Sequence, residues 1–132
     1  MPKIIICDDA RYVRVVLRKT LEEAGYEVVW EAASGEEAVE KYKELRPDAV
    51  ILDIVLPQMD GIAAARQIKE LDKDARIIMI SAYGTRPKIL KAIQAGARDF
   101  IVKPFQVERL IEAVNKVFTS DRGKKSEGEA EA

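Results

Sequence analysis

Polar residues gather just after the apolar runs of this sequence. Asp8 and Asp9 follow Ile4-Ile5-Ile6-Cys7, Asp53 follows Ala49-Val50-Ile51-Leu52, Ser81 follows Ile77-Ile78-Met79-Ile80, and Lys103 follows Phe100-Ile101-Val102. Glu31 stands after the remaining run, Val28-Val29-Trp30, with nothing convergent beside it. If the runs are strands of one open parallel sheet, their carboxyl ends share a rim, where such sheets bind ligands. A lone loop residue explains any one of these positions. It does not explain three carboxylates together, because two of them about 4 Å apart repel by roughly 4 kcal/mol at an effective dielectric of 20. Such a cluster calls for a cation, and its hard oxygens select Mg2+ or Mn2+ over zinc. Mg2+ retains waters and completes its shell with phosphate oxygens. The rim therefore suits a phosphoryl group meeting Mg2+, an ammonium and a hydroxyl.

The reacting group is narrowed by what the chain lacks. With no histidine, imidazole acid–base catalysis, Ser-His-Asp and Cys-His nucleophiles, His-ligated metals and phosphohistidine carriers are excluded. The single cysteine, Cys7, sits inside an apolar run and reads as structural. It also excludes an internal disulfide and any Cys-rich zinc site. A carboxylate can itself be the nucleophile, as in aspartyl-phosphate chemistry. Asp53 is the candidate, since it leaves the central run, while the adjacent pair Asp8-Asp9 is better suited to holding metal.

The elements that must position these groups are legible from periodicity. Each apolar run is too short for a helix, mostly β-branched, and apolar on consecutive positions, which is the pattern of parallel strands buried on both faces. Between the runs lie helical spacings. Val13, Val16, Leu17, Leu21 and Ala24 mark the first helix, with Gly25 placed to stop it. Ser34-Gly35-Glu36-Glu37 is a capping box opening a second, with Ala38, Tyr42 and Leu45 inward and Pro47 beyond its end. Ile62, Ala65 and Ile68 mark the third. Pro87 opens the fourth, with Ile89 and Ile93, which ends at Gly96; Val107, Leu110, Ile111, Val114 and Phe118 mark the fifth. Strict alternation predicts an α/β doubly wound five-stranded parallel sheet with five helices on its two faces.

Composition bounds the rest. A chain of 132 residues holds one domain or a domain with a short appendage, and residues 1–119 carry the whole pattern. From residue 120 apolar content collapses to alanine, which predicts a flexible polar tail over 120–132. Lys and Arg (22) balance Asp and Glu (23), so neither direct nucleic-acid binding nor an anionic membrane surface is favoured. No run approaches a membrane span and no signal-peptide core is visible, so a cytoplasmic protein without membrane insertion is expected.

The stretch Ile4–Asp9, the run Asp53-Ile54-Val55-Leu56-Pro57-Gln58-Met59-Asp60-Gly61, Ser81-Ala82 and Lys103-Pro104-Phe105 together resemble the response-regulator receiver domain over about residues 3–118. The segment Gln94–Gln106 resembles the single-domain chemotaxis regulators within that family. The resemblance implies the strand order 2-1-3-4-5 of a flavodoxin-like fold. It implies that Asp53 accepts a phosphoryl group from a phosphohistidine on a partner histidine kinase or phosphotransfer protein. Asp9, Asp53 and the main-chain carbonyl of Val55 would ligate Mg2+, with Asp8 acting through water. Lys103 would pair with the phosphoryl oxygens, and Ser81 with the Ala82 amide would hydrogen-bond them. Ser81 and Phe100 would form the switch, and helix 4, strand 5 and helix 5, with Lys88, Lys91, Gln106 and Arg109, the face that docks a downstream protein. The kinase would dock along helix 1 near Arg11, Tyr12 and Val15. Such a protein is no enzyme beyond its own phosphoryl transfer and slow aspartyl-phosphate hydrolysis. A monomer is expected, with phosphorylation-dependent dimerisation as the alternative.

Two departures from the pattern matter. Phe100 stands where chemotaxis regulators often have tyrosine, and Val55 and Tyr83 flank the pocket with apolar bulk. Asp48, Asp60, Asp72, Asp74 and Asp99 read as caps and turns, Trp30 and Phe105 as packing, and Asp60-Gly61 as turn and helix-entry chemistry. Among rivals, a flavin carrier needs a phosphate loop where Asp8-Asp9 would repel phosphate, an aspartyl-phosphate hydrolase wants an acid at position 55, and G-x-G-x-x-G is absent. A phosphorelay intermediate and a phosphorylation-independent interaction module remain as alternatives to motility control.

Overall fold

The computed structural model describes residues 1–131, with side chains through residue 119, so the tail expected over 120–132 lies outside the fully described residues. Ten elements alternate: β1 (Lys3–Cys7), α1 (Arg11–Glu23), β2 (Glu27–Ala32), α2 (Gly35–Leu45), β3 (Ala49–Asp53), α3 (Gly61–Leu71), β4 (Ile77–Ser81), α4 (Arg86–Gln94), β5 (Ala97–Val102) and α5 (Val107–Glu131). All strand pairs are parallel and the sheet order is β2-β1-β3-β4-β5, as the resemblance implied.

Consecutive apolar residues in the strands serve two cores, because neighbouring side chains point to opposite faces of the sheet. Ile5, Val50, Leu52, Ile77 and Met79 pack with Ala38 and Tyr42 of α2, Ala64, Ala65 and Ile68 of α3 and Ala92 of α4. Ile4, Ile6, Ile51, Ile78 and Ile80 pack on the other side with Leu17 and Leu21 of α1 and Leu110 and Val114 of α5. The doubly wound arrangement follows: three helices cover one face and two the other.

The predicted stops and starts hold locally. Gly25 and Gly96 follow α1 and α4 with φ of 95° and 112°, the left-handed region that favours glycine. Ser34 Oγ accepts the Glu37 amide at 3.2 Å, while Glu37 reaches back to the Ala33 amide at 3.0 Å, one residue earlier than a capping box requires. Five positions expected inward are instead exposed: Val16, Ala24, Leu45, Ile93 and Val107. Each lies at the margin of its helix's apolar stripe, which a straight 3.6-residue period overextends. In α4 the small Ala92 is the buried residue and lets the helix approach the sheet, leaving Ile93 and Leu90 outside.

Candidate functional site

The rim is assembled by three inner strands and β5. Ser34, where α2 begins, accepts the Cys7 thiol on its carbonyl at 3.2 Å, and the Asp8 amide donates to Ala32 at 3.1 Å, fixing how the chain leaves β1. Burial pushes the Cys7 thiol pKa far up, and the charges of Asp8, Glu37 and Asp53 add to it, so the thiol is held neutral and is no nucleophile. At the end of β5 the Lys103 amide donates to the Ser81 carbonyl at 2.8 Å, which sets lysine and serine side by side.

Asp8, Asp9 and Asp53 each present a carboxylate oxygen within 4.8 Å of the others. Asp8 and Asp53 are buried and Asp9 is exposed. Lys103 Nζ reaches across them, 2.6 Å from Asp8 Oδ2 and 2.9 Å from Asp53 Oδ2. The ammonium offsets part of the acid–acid repulsion that the sequence implies. It also means that Lys103 holds carboxylates here, whereas the resemblance assigns it to phosphoryl oxygens.

Burial raises the Asp53 pKa above the ordinary carboxylate value; the Lys103 hydrogen bond and charge oppose the shift, Asp8 adds to it, and the Val55 amide, donating to Oδ1 at 3.1 Å, opposes it. For Lys103, burial acts to lower the pKa, but hydrogen bonds and charges from Asp8 and Asp53 outweigh it and the net direction is upward. Lys103 thus stays a charged ammonium beside an Asp53 carboxyl that resists ionisation. The three acids, all hard oxygen donors around a water-accessible member, fit Mg2+ or Mn2+ and not a soft metal.

Ser81 is fully buried, and its Oγ accepts the Tyr83 amide at 3.1 Å, which leaves the hydroxyl proton to donate elsewhere. Ala82 is exposed beside it. Val55 and Tyr83 stand at the margin, 49% and 58% exposed, and the Lys88 ammonium lies 5.7 Å from the Tyr83 ring centroid. Phe100 is buried within the core formed with α2, α3 and α4.

Several residues play parts that their local sequence does not announce. Gly61 packs against the phosphoacceptor candidate itself: its amide donates to Ile54 at 2.7 Å, and a Cβ there would lie 2.0 Å from the Asp53 carbonyl oxygen. Glycine in a turn-like sequence is the signal, but only the close approach explains it. Asp60 caps α3 by accepting the Ala63 amide at 2.8 Å, as expected. Asp99, expected in a cap or turn, lies in β5 and is paired with Arg109 at 2.9 Å, so this arginine of the expected output face is held by a carboxylate. Glu31, read as isolated, pairs with Arg14 at 3.3 Å and Arg18 at 2.6 Å.

A doubly wound sheet carrying three acids, a lysine and a serine on its carboxyl rim is the arrangement of a receiver domain. The chain belongs to the response regulator receiver domain family, which it matches over residues 4–115. It is 54% identical over 114 residues to the chemotaxis protein CheY of Bacillus subtilis, covering 86% of this chain and 95% of that protein. With CheY of Thermotoga maritima it shares 52% over 115 residues, 87% of this chain and 96% of that one. Among solved structures, a chain of the CheX–CheY–BeF3–Mg2+ complex from Borrelia burgdorferi superposes with a TM-score of 0.86 at 40% identity, covering 88% of each chain. The chain is thus the CheY-like receiver domain of a two-component response regulator, a class of signalling proteins and not of metabolic enzymes. Among the described residues no helix is long and apolar enough to cross a membrane.

Proposed function

We propose that the chain is a phosphorylation-dependent switch in motility control, with Asp53 as the phosphoacceptor. The carrying observation is the convergence of Asp8, Asp9 and Asp53 with one ammonium, Lys103, bonded to two of them. One Asp53 carboxylate oxygen attacks phosphorus in line with the imidazole nitrogen of a partner's phosphohistidine. The O–P bond forms as the N–P bond breaks, and the imidazole leaves with the electron pair and takes a proton from water. Asp9, Asp53 and the Val55 carbonyl would hold Mg2+, with Asp8 acting through water, and the bound ion would supply positive charge to the phosphoryl oxygens. Lys103 exchanges a carboxylate partner for a phosphoryl oxygen, since the ammonium has three donors and already sits at Asp53. The unspent proton of Ser81 and the Ala82 amide bind another oxygen. That hydrogen bond exists only in the phosphorylated state, so it biases one arrangement of the β4–α4 loop over another.

The output surface is the α4–β5–α5 face, where Leu90, Ile93 and Val102 are exposed beside Lys91 and Gln106. The kinase-facing surface is α1, where Tyr12 and Val15 are exposed and Tyr12, Val16, Phe105 and Val107 line a cleft of about 430 Å3 that reaches Lys103. The protein acts in the cytoplasm, where a histidine kinase would be met. Incubation with acetyl phosphate and Mg2+ should add about 80 Da, one phosphoryl group, at Asp53. Asp53→Asn should take up none, and stoichiometric labelling of that variant rejects the assignment.

A further inference from the structure

Arg14 lies on α1, faces away from solvent, and touches none of the groups assigned above to phosphoryl chemistry except one main-chain oxygen. Its Nη1 donates to the Asp8 carbonyl at 2.6 Å, and its Nε donates to Glu31 Oε1 at 3.3 Å. The Arg14 side chain is 16% exposed. Glu31 is itself fixed by Arg18, whose Nε lies 2.6 Å from Oε2 and whose Nη1 lies 3.4 Å from the Val28 carbonyl. A chain of charge-assisted hydrogen bonds therefore runs from β2 through Glu31 and Arg14 to the turn that carries the acids.

The contact matters because of which oxygen it holds. The Asp8 carbonyl belongs to the peptide unit whose nitrogen is Asp9's, so fixing that plane fixes where the Asp9 carboxylate starts from. Asp8 is otherwise satisfied on every side: its amide donates to Ala32, Oδ1 accepts the Ala10 amide at 2.9 Å, and Oδ2 accepts Lys103. The carbonyl is the remaining degree of freedom, and Arg14 takes it up. Asp9, by contrast, is exposed and has no hydrogen bond of its own among the described residues, so its position depends on the backbone that precedes it. Arg14 also adds a positive charge on the far side of a cluster of three acids, with Glu31 cancelling one of the two arginine charges.

We propose that Arg14, oriented by Glu31, is a positioning residue that presets the Asp8–Asp9 turn for divalent-cation binding. The inference rests on the reading of Asp8, Asp9 and Asp53 as a cation site. Groups that orient metal ligands from behind typically change affinity by about 10–100-fold when removed.

The test is Mg2+ affinity in the unphosphorylated protein, by calorimetry, with folding followed by circular dichroism. Arg14→Met should weaken Mg2+ binding about tenfold. Glu31→Gln should weaken it about threefold, because Arg14 keeps its bond to Asp8 while its orienting partner loses the charge that strengthens the bond to Nε. Arg14→Lys should recover part of the loss, keeping charge and a donor but not the fork. Arg18→Met removes a Glu31 partner without touching Asp8 and should leave affinity within about twofold; it separates positioning from general loosening of α1 on β2. Wild-type affinity in Arg14→Met, or an equal loss in Arg18→Met, overturns the proposal while leaving the cation site intact. If Arg14→Met does not fold, Glu31→Gln decides: unchanged affinity there overturns it. A wild-type protein that does not bind Mg2+ overturns the site reading and this inference with it.

Discussion

Replacing Lys103 with methionine removes an ammonium that sits between two buried carboxylates, 2.6 Å from Asp8 and 2.9 Å from Asp53. Methionine keeps an unbranched chain of similar length and loses the charge. What remains is acid facing acid at no more than 4.8 Å, a repulsion of about 3.5 kcal/mol at an effective dielectric of 20. Asp53 relieves part of this by holding a proton more tightly, because burial already raises its pKa and the variant loses the ammonium that opposed the shift. The net cost near neutral pH should therefore be about 2–3 kcal/mol, at or just below the usual range for breaking a buried pair. For a domain of this size each kcal/mol corresponds to roughly 3–5 °C, so the metal-free melting temperature should fall by about 6–15 °C. The second half of the prediction concerns Mg2+. In the wild type the ammonium and the metal compete for the same oxygens; in the variant they do not. At ten times Kd the wild type gains about 1.4 kcal/mol, and a tenfold tighter Kd in the variant would raise that to about 2.7 kcal/mol at the same Mg2+ concentration. The assay is thermal unfolding of both proteins in EDTA and in a fixed millimolar Mg2+ concentration. A smaller Mg2+ increment in Lys103→Met than in wild type, or a metal-free loss below about 1 kcal/mol, refutes the competition argument.

Other outcomes follow from the same geometry. In EDTA, folded Asp53 binds its proton more tightly than the unfolded chain does, so the folded state holds more protons between the ordinary carboxylate pKa and the raised one; Asp53's contribution to stability should fall as pH rises through that window, and Asp53→Asn should flatten the pH profile there. Ser81→Ala should still be phosphorylated but should weaken coupling to the output face: beryllofluoride should shift amide NMR signals of α4 and around Phe100 in wild type and leave them nearly unmoved in the variant. Val55→Asn with Tyr83→Glu, at the exposed margin of the site, should speed loss of the phosphoryl group about tenfold, or about 1.4 kcal/mol in barrier, by giving the attacking water a partner and a path. An unchanged or slower decay of purified phosphoprotein would assign control of water entry to other residues.

The readable part of this molecule is the part governed by neighbours in sequence. Short β-branched runs gave strands, and because both faces of the sheet are covered, they read as consecutive and not alternating apolar residues, which placed the fold class directly. Gly25, Gly96 and Ser34 end or begin helices through bonds that span a few residues, and each does so as expected. The candidate site is legible for a related reason: a polar residue that ends a buried strand must lie at the sheet's edge, which puts Asp8, Asp53, Ser81 and Lys103 on one rim without any tertiary contact. Helix faces were less secure, as the exposed Val16, Leu45, Ile93 and Val107 show, because periodicity gives the direction of a stripe but not its width.

What escaped the sequence depends on long side chains crossing between elements. Lys103 is 95 residues from Asp8, and nothing local distinguishes a lysine poised for a phosphoryl group from one that first neutralises two acids. Glu31 and Arg14 are 17 residues apart on different elements, and each alone reads as an ordinary surface charge. Gly61 looked like turn chemistry, yet its missing Cβ is what lets α3 begin against the Asp53 carbonyl. These three features share a physical role. Each constrains the acids from outside the acid cluster: Lys103 by charge, Arg14 through the backbone, Gly61 by permitting close packing. Carboxylates that repel one another do not hold their own geometry, so the precision needed to accept a phosphoryl group must come from such restraints. A chain that kept all three aspartates but lost these restraints would retain the family's motif and lose the organisation on which its chemistry depends.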